Sequence, residues 1–191
     1  MLGLDETGRE VLSFIEGEVH VAAPESPEPE LSDSQLASAA RLIRRFHDAT
    51  AGSALAGGEE VVCHGDLGPH NTVFVGDEAV GLVDWDEGVA PGARLVDLAH
   101  AGWCYVDVGE SGGPVEEQGR RLRLMCDAYG WDDAGAIVDE IAALLRRARD
   151  QHVSAGRHNA ATIFEELMRW MADRDEALRT ASGAGQGSDH P

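Results

Sequence analysis

Apolar residues fall on one helical face between residues 36 and 46, where Leu36, Ala39, Ile43 and Phe46 recur at intervals of three and four. Ser32-Asp33-Ser34-Gln35 precedes them in capping-box form, with Ser32 as N-cap, and predicts a helix to about Asp48. The period then changes. Glu60–Cys63, Thr72–Val75 and Ala79–Val83 are short runs rich in branched residues and predict three strands. Gly76-Asp77 is expected to turn the last two into a hairpin. From Leu95 the helical period returns. Leu95–Val106 is mostly apolar, and residues 115–129 follow Pro114 and stop at Gly130. Asp133 is placed to cap a helix to about Val153, with Ile137, Ile141, Leu144 and Leu145 inward. A last helix, about 159–178, is expected to turn Ile163, Leu167, Trp170 and Met171 inward.

Three segments stand apart from these elements. Arg9–Ile15 has a strand-like composition after a turn signal at Asp5–Gly8, and Glu16-Gly17-Glu18 ends it. Residues 22–30 (AAPESPEPE) hold three prolines and suit neither a helix nor a central strand, so they read as a linker. Residues 180–191 lack apolar anchors and are expected to be a disordered tail. The fold class that follows is α+β, with a short strand segment over 1–20, a body over 21–179 and a tail over 180–191.

Composition sharpens this picture in three places. The net charge is −20, from 35 acids against 15 bases, which makes nucleic acid and anionic membranes poor partners and attracts cations. All 15 bases are arginine, so the chain supplies no lysine to any mechanism that needs one. Cys63, Cys104 and Cys126 are odd in number and widely spaced, so they are expected to be reduced thiols, neither a disulfide framework nor a zinc site. The start, MLGLDETGRE, has neither a basic nor a long apolar region, and no run is long enough to span a bilayer; the expected location is the cytoplasm.

The chemistry concentrates in His64-Gly65-Asp66-Leu67-Gly68-Pro69-His70-Asn71 and in Asp84-Trp85-Asp86. An acid and an amide stand five residues apart in one loop, and Asp84 ends the strand that pairs back beside that loop. Each residue alone is an ordinary turn former. Together, their oxygens suit a hard cation such as Mg²⁺, and a remaining carboxylate can accept a hydroxyl proton, which is the equipment of phosphoryl transfer.

HGDLGPHN resembles the catalytic loop of the aminoglycoside phosphotransferase and choline kinase family. VGLVDWDEGVAPGARLVDLAHAGW (80–103) resembles the segment that follows it, and RRFHDAT (44–50) the end of the preceding helix. The resemblance covers about residues 2–178. It implies a protein-kinase-like fold, mainly its helical C-terminal lobe, and transfer of the γ-phosphoryl group of ATP to a hydroxyl of a small molecule. By position it implies Asp66 as base, His64 as the residue orienting the loop, Asn71 and Asp84 as Mg²⁺ ligands, and Asp97 as a structural brace. Asp86 is either a solvated acid or a supporting neighbour of the metal. Residues 11–18 resemble the interlobe hinge, which implies adenine contacts from the backbone of Ser13 and Ile15.

The sequence departs from the family at its start. The Gly-rich turn and the lysine that grip phosphate precede the hinge in the family, and neither is here. Three expectations follow: a misassigned start or truncated gene, a lobe supplied by another chain, or a non-catalytic remnant that binds a small molecule or a protein. Exposed strand residues such as Leu12 and Phe14 are then expected to favour pairing with another chain, including self-association.

Overall fold

The computed structural model describes residues 2–20, 31–85 and 88–183. The elements run β1 (Gly3–Leu4), β2 (Glu10–Val11), α1 (Asp33–Thr50), β3 (Val61–Cys63), β4 (Thr72–Val75), β5 (Glu78–Leu82) and β6 (Ala90–Gly92). They continue with α2 (Arg94–Val106), α3 (Val115–Tyr129), α4 (Ala134–Ser154) and α5 (His158–Ala181). The strands pair in three antiparallel couples: β1 with β2, β3 with β6, and β4 with β5. The architecture is α+β and helix-rich. The linker 22–30, Asp86 and residues 184–191 lie outside the described residues.

Local chemistry sets the helix ends where the sequence signals put them. The Gln35 N–H donates to Ser32 Oγ at 3.1 Å, and the Ser32 N–H donates to Gln35 Oε1 at 3.0 Å, so the capping box is closed. The Ala136 N–H donates to Asp133 Oδ1 at 3.0 Å at the start of α4. Gly130 ends α3 in the left-handed region, at φ 84°.

The core is helical. Leu36 and Ile43 of α1 meet Leu98 of α2, Leu122 and Met125 of α3, Ile137, Ile141 and Leu145 of α4, and Leu178 of α5, all fully buried. Each such side chain contributes about 1.5–3 kcal/mol through burial. The β3–β6 and β4–β5 pairs border this bundle, with α1 packed on both β3 and β5. Loops between β3 and β4, and after β5, are thereby held on a rigid base.

Two expectations are corrected. The strand foreseen over 9–15 is only the two residues of β2, because a strand needs a neighbour to take its N–H and C=O groups and only β1 provides one. The chain instead returns to the sheet at Glu18, which exchanges two bonds of 2.8 Å with Phe74 of β4. Gly17 permits this approach, since a Cβ there would lie 2.5 Å from the Phe74 oxygen. Leu12 and Phe14 remain exposed, Phe14 at 89%. In α5, Ile163 is 58% exposed rather than inward, while Phe164 packs on the core. Adjacent residues lie about 100° apart on a helix, and the apolar stripe that α5 presents to the core passes through Phe164.

Among the described residues no helix is long and apolar enough to cross a membrane. The three cysteines are free, and burial pushes each thiol up to about 12.

Candidate functional site

The loop between β3 and β4 carries the motif, and its backbone is locked from below by one acid. Asp97 is buried in the first turn of α2. Its Oδ2 accepts the His64 N–H and its Oδ1 accepts the Gly65 N–H, both at 2.9 Å. Its Oδ2 also lies 2.9 Å from His47 Nε2. Burial alone would raise this carboxyl; the His47 bond and the two backbone donors outweigh it and hold Asp97 below its ordinary value. Gly65 has φ 81°, and a Cβ there would lie 2.3 Å from the Gly88 oxygen, so the loop passes where only glycine fits.

His47 extends the brace. Its Nδ1 lies 2.7 Å from the Tyr129 hydroxyl, so Tyr129 of α3, His47 of α1 and Asp97 of α2 form one buried chain that ends on the loop. With the phenol donating to Nδ1, Nε2 carries the proton given to Asp97. Burial raises the Tyr129 phenol, which keeps it a donor. Arg94 approaches the same hydroxyl at 3.4 Å and pairs with Asp48 and Glu60, a helix-start role.

His64 is fully buried. Its Nε2 lies 2.9 Å from the Val83 carbonyl oxygen, and its ring meets Trp85 at 4.5 Å. It fastens the loop to the end of β5, as an orienting residue would. Its Nδ1 is buried and has no hydrogen-bond partner among the described residues.

The acid and the amide of the motif meet directly. Asn71 Nδ2 donates to the Asp66 carbonyl at 2.9 Å and to Asp66 Oδ2 at 3.0 Å. That leaves Asn71 Oδ1 as an oxygen donor and the second Asp66 oxygen toward solvent, with the Asp66 side chain 47% exposed. The Val83 N–H donates to the Asn71 carbonyl at 3.0 Å, which brings Asp84, the next residue, to the same edge. Asp84 is exposed and has φ 66°, a conformation uncommon outside glycine.

Two histidines flank Asp66. His70 Nε2 lies 3.6 Å from Oδ2, and His100 Nε2 lies 3.9 Å from Oδ1. His100 stands one turn beyond Asp97 on α2. Beside it is a cleft of roughly 300 Å³ lined by Cys63, Ala90, Pro91, Val96 and Leu144. Trp103 packs between His100 and Phe164 instead.

Asp66, Asn71, His64 and Asp97 are therefore drawn together, with Asp84 beside them. Ser13 is exposed, and Ile15 lies over Gly81 of β5, where an added Cβ would meet Ile15 Cδ1 at 2.9 Å. Sequence reasoning passed over His47 and Tyr129 as site residues and set His100 aside together with a zinc site. For His47 a signal existed: it continues the apolar face of α1 four residues after Ile43, where a buried imidazole needs partners.

A glycine-turned loop that sets an acid against an amide, with a second acid at the end of the following hairpin, defines a class of helix-rich α+β proteins built around one loop-borne oxygen site. A profile of the phosphotransferase enzyme family matches residues 31–137, and the chain belongs to that family. The trifolitoxin immunity protein of Rhizobium leguminosarum bv. trifolii is 31% identical over 213 aligned positions, which cover 94% of this chain and 78% of that protein. No solved structure matches the chain.

Proposed function

We propose that the chain is a phosphotransferase that moves the γ-phosphoryl group of ATP, with Mg²⁺, to a hydroxyl of a small molecule. The observation that carries this reading is the pair of hydrogen bonds that Asn71 Nδ2 donates to Asp66, which orients the carboxylate and leaves Asn71 Oδ1 as a free acceptor atom of the amide. The family implies a protein-kinase-like fold, in which the helices described here form the C-terminal lobe and residues 2–20 lead into it as the hinge.

The donor set fits the cation. Asn71 and Asp84 offer a carbonyl and a carboxylate oxygen, and Mg²⁺ takes one or two protein oxygens and completes its shell with water and phosphate. When bound, Mg²⁺ neutralises charge on the phosphate oxygens. Asp66 takes the proton of the acceptor hydroxyl as its oxygen bonds to the γ-phosphorus and ADP leaves. His64 and Asp97 hold the loop, and the backbone of Ser13 and Ile15 meets adenine. The net charge of −20 favours a cationic acceptor, and the name of the relative links the family to immunity against trifolitoxin, so a toxin or antibiotic is the acceptor class favoured here. The site of action is the cytoplasm.

A second reading has one observation behind it: the chain contains no lysine to grip phosphate. On that reading the lobe binds a small molecule or a protein without turnover, and the exposed segment with Leu12 and Phe14 receives another chain.

Phosphate transfer from labelled ATP into a panel of hydroxylated antibiotics and amino alcohols, with Asp66→Asn beside the parent chain, separates the two. Label that enters an acceptor with the parent and falls at least a hundredfold with the variant supports the phosphotransferase reading. Mg²⁺-ATP binding without transfer to any acceptor supports the second.

A further inference from the structure

Helix α2 meets the motif loop at three points along about 12 Å of its length. Asp97 takes the His64 and Gly65 N–H groups, His100 lies against the Leu67 carbonyl, and Tyr105 meets Thr72, the residue after Asn71. The third contact has no part in any step described above. Tyr105 and Thr72 are both buried. Thr72 Oγ has one proton, and it donates that proton to the Gly68 carbonyl at 3.1 Å. The phenol is therefore the donor to Thr72 Oγ, and burial, which raises its pKa, keeps it protonated. The same Gly68 carbonyl accepts the Asn71 N–H at 3.1 Å, and the Thr72 N–H donates to the Pro69 carbonyl. These bonds close the turn Pro69–Asn71, from which Asn71 Nδ2 reaches back to Asp66. A threonine has more than one staggered rotamer. If Oγ swung away from Gly68, the buried phenol would lose its partner, so Tyr105 selects the rotamer that clamps the turn. Valine has nearly the same shape without the hydroxyl, so packing alone does not account for Thr72.

We propose that Tyr105 is a positioning residue: through Thr72 and the Gly68 carbonyl it fixes the turn that carries Asn71, and so sets the Asn71 amide against the Asp66 carboxylate. This rests on the phosphotransferase reading only for the roles of Asp66 and Asn71. Asp97 holds the start of the loop and Tyr105 its end, so α2 is a splint that spaces the acid from the amide. Tyr105 touches no reacting group, and its loss is felt through Asn71.

The test uses the full chain with nitrogen-labelled asparagine. The chain holds two asparagines, Asn71 and the exposed Asn159, so NMR shows two side-chain amides and one of them is an internal reference. In the parent, the Asn71 amide protons are expected to exchange with water at least about tenfold more slowly than those of Asn159. Tyr105→Phe removes the phenol proton and keeps the ring. It should speed Asn71 exchange about fivefold, leave Asn159 unchanged and weaken Mg²⁺-ATP binding by a similar factor. Thr72→Val should do the same, and Thr72→Ser should stay at the parent level. The double variant, Tyr105→Phe with Thr72→Val, should lose no more than either alone. Gly52→Ala, which meets open space and makes none of these contacts, should leave Asn71 exchange as in the parent. Asn71 exchange unmoved by Tyr105→Phe or Thr72→Val, effects that add in the double variant, or the same acceleration in Gly52→Ala overturns the proposal. Should Tyr105→Phe fail to fold, equal Asn71 exchange in Thr72→Val and Thr72→Ser overturns it. The same samples are titrated with Mg²⁺-ATP. An Asn71 amide that ignores Mg²⁺-ATP yet loses protection in Tyr105→Phe supports the positioning role and counts against the phosphotransferase reading. An Asn71 amide that responds to Mg²⁺-ATP but is indifferent to Tyr105→Phe overturns the positioning role alone.

Discussion

Asn71 Nδ2 donates to both the backbone carbonyl and the carboxylate of Asp66, at 2.9 and 3.0 Å, and this one amide orients the acid around which the site is built. Removing it frees the Asp66 side chain and leaves a partly buried carbonyl without its donor. Asn71→Ala is expected to cost about 1–3 kcal/mol in urea unfolding. It should also weaken Mg²⁺-ATP binding, whereas Asn71→Asp keeps an oxygen ligand and loses the donor. Unchanged stability in Asn71→Ala would contradict the contribution of this pair of bonds.

Asp97 ties three groups to one carboxylate, so its loss should be felt in stability before chemistry. Asp97→Ala is expected to destabilise by about 3–5 kcal/mol, since it leaves two backbone N–H groups and His47 without their acceptor. The pH dependence has a definite sign. Its folded pKa lies below the ordinary 3.8, so its contribution is complete above that value and is lost as pH falls through the folded one. The stability gap between the parent chain and Asp97→Asn should hold level from pH 5 to 7 as far as Asp97 is concerned, and close in stronger acid. Paired denaturation curves across that range measure it.

Tyr129 reaches the loop only through His47 and Asp97. Tyr129→Phe removes the hydroxyl and keeps the ring, so thermal unfolding should report a loss of about 1 kcal/mol. The Asp97 carboxylate still accepts the Nε2 proton, so the His47 tautomer should stay that of the parent while Nδ1 loses its partner, visible as a shift of the Nδ1 resonance in NMR. A change of tautomer would show that the phenol, rather than Asp97, sets it.

Gly65 and Gly52 both have positive φ, at 81° and 68°, but only Gly65 faces a neighbour. Gly52→Ala meets open space and should cost about 1 kcal/mol from its backbone alone. Gly65→Ala must also displace the Gly88 backbone, and should lower the melting temperature further and weaken nucleotide binding. Equal effects of the two would remove the close approach from the account.

Much of this was legible in the sequence because it is local. The Ser32 cap, the Gly130 stop, the 76–77 turn and the HGDLGPHN loop each act within a few residues. What the pattern could not carry was which neighbour each element would find. The branched residues of 9–15 read as a strand, but the chain offers only β1 and a touch on β4, so most of that run pairs with nothing among the described residues. Ile163 and Phe164 are equally apolar, and only the packed helices decide between them. The Tyr129–His47–Asp97 chain is made of contacts 82 and 50 positions apart, and no spacing rule reports such contacts. His100 was hidden for the same reason, since its partner is a carbonyl 33 residues away.

The central claim is that this loop assembles a Mg²⁺-dependent nucleotide site, and calorimetric titration of the full chain with ATP tests it most directly. With Mg²⁺ present, saturable binding is expected, weakened at least tenfold by Asp84→Ala and lost on chelation of the metal. A folded chain that binds no ATP, or that binds it equally well without Mg²⁺ and with Asp84→Ala, would contradict it.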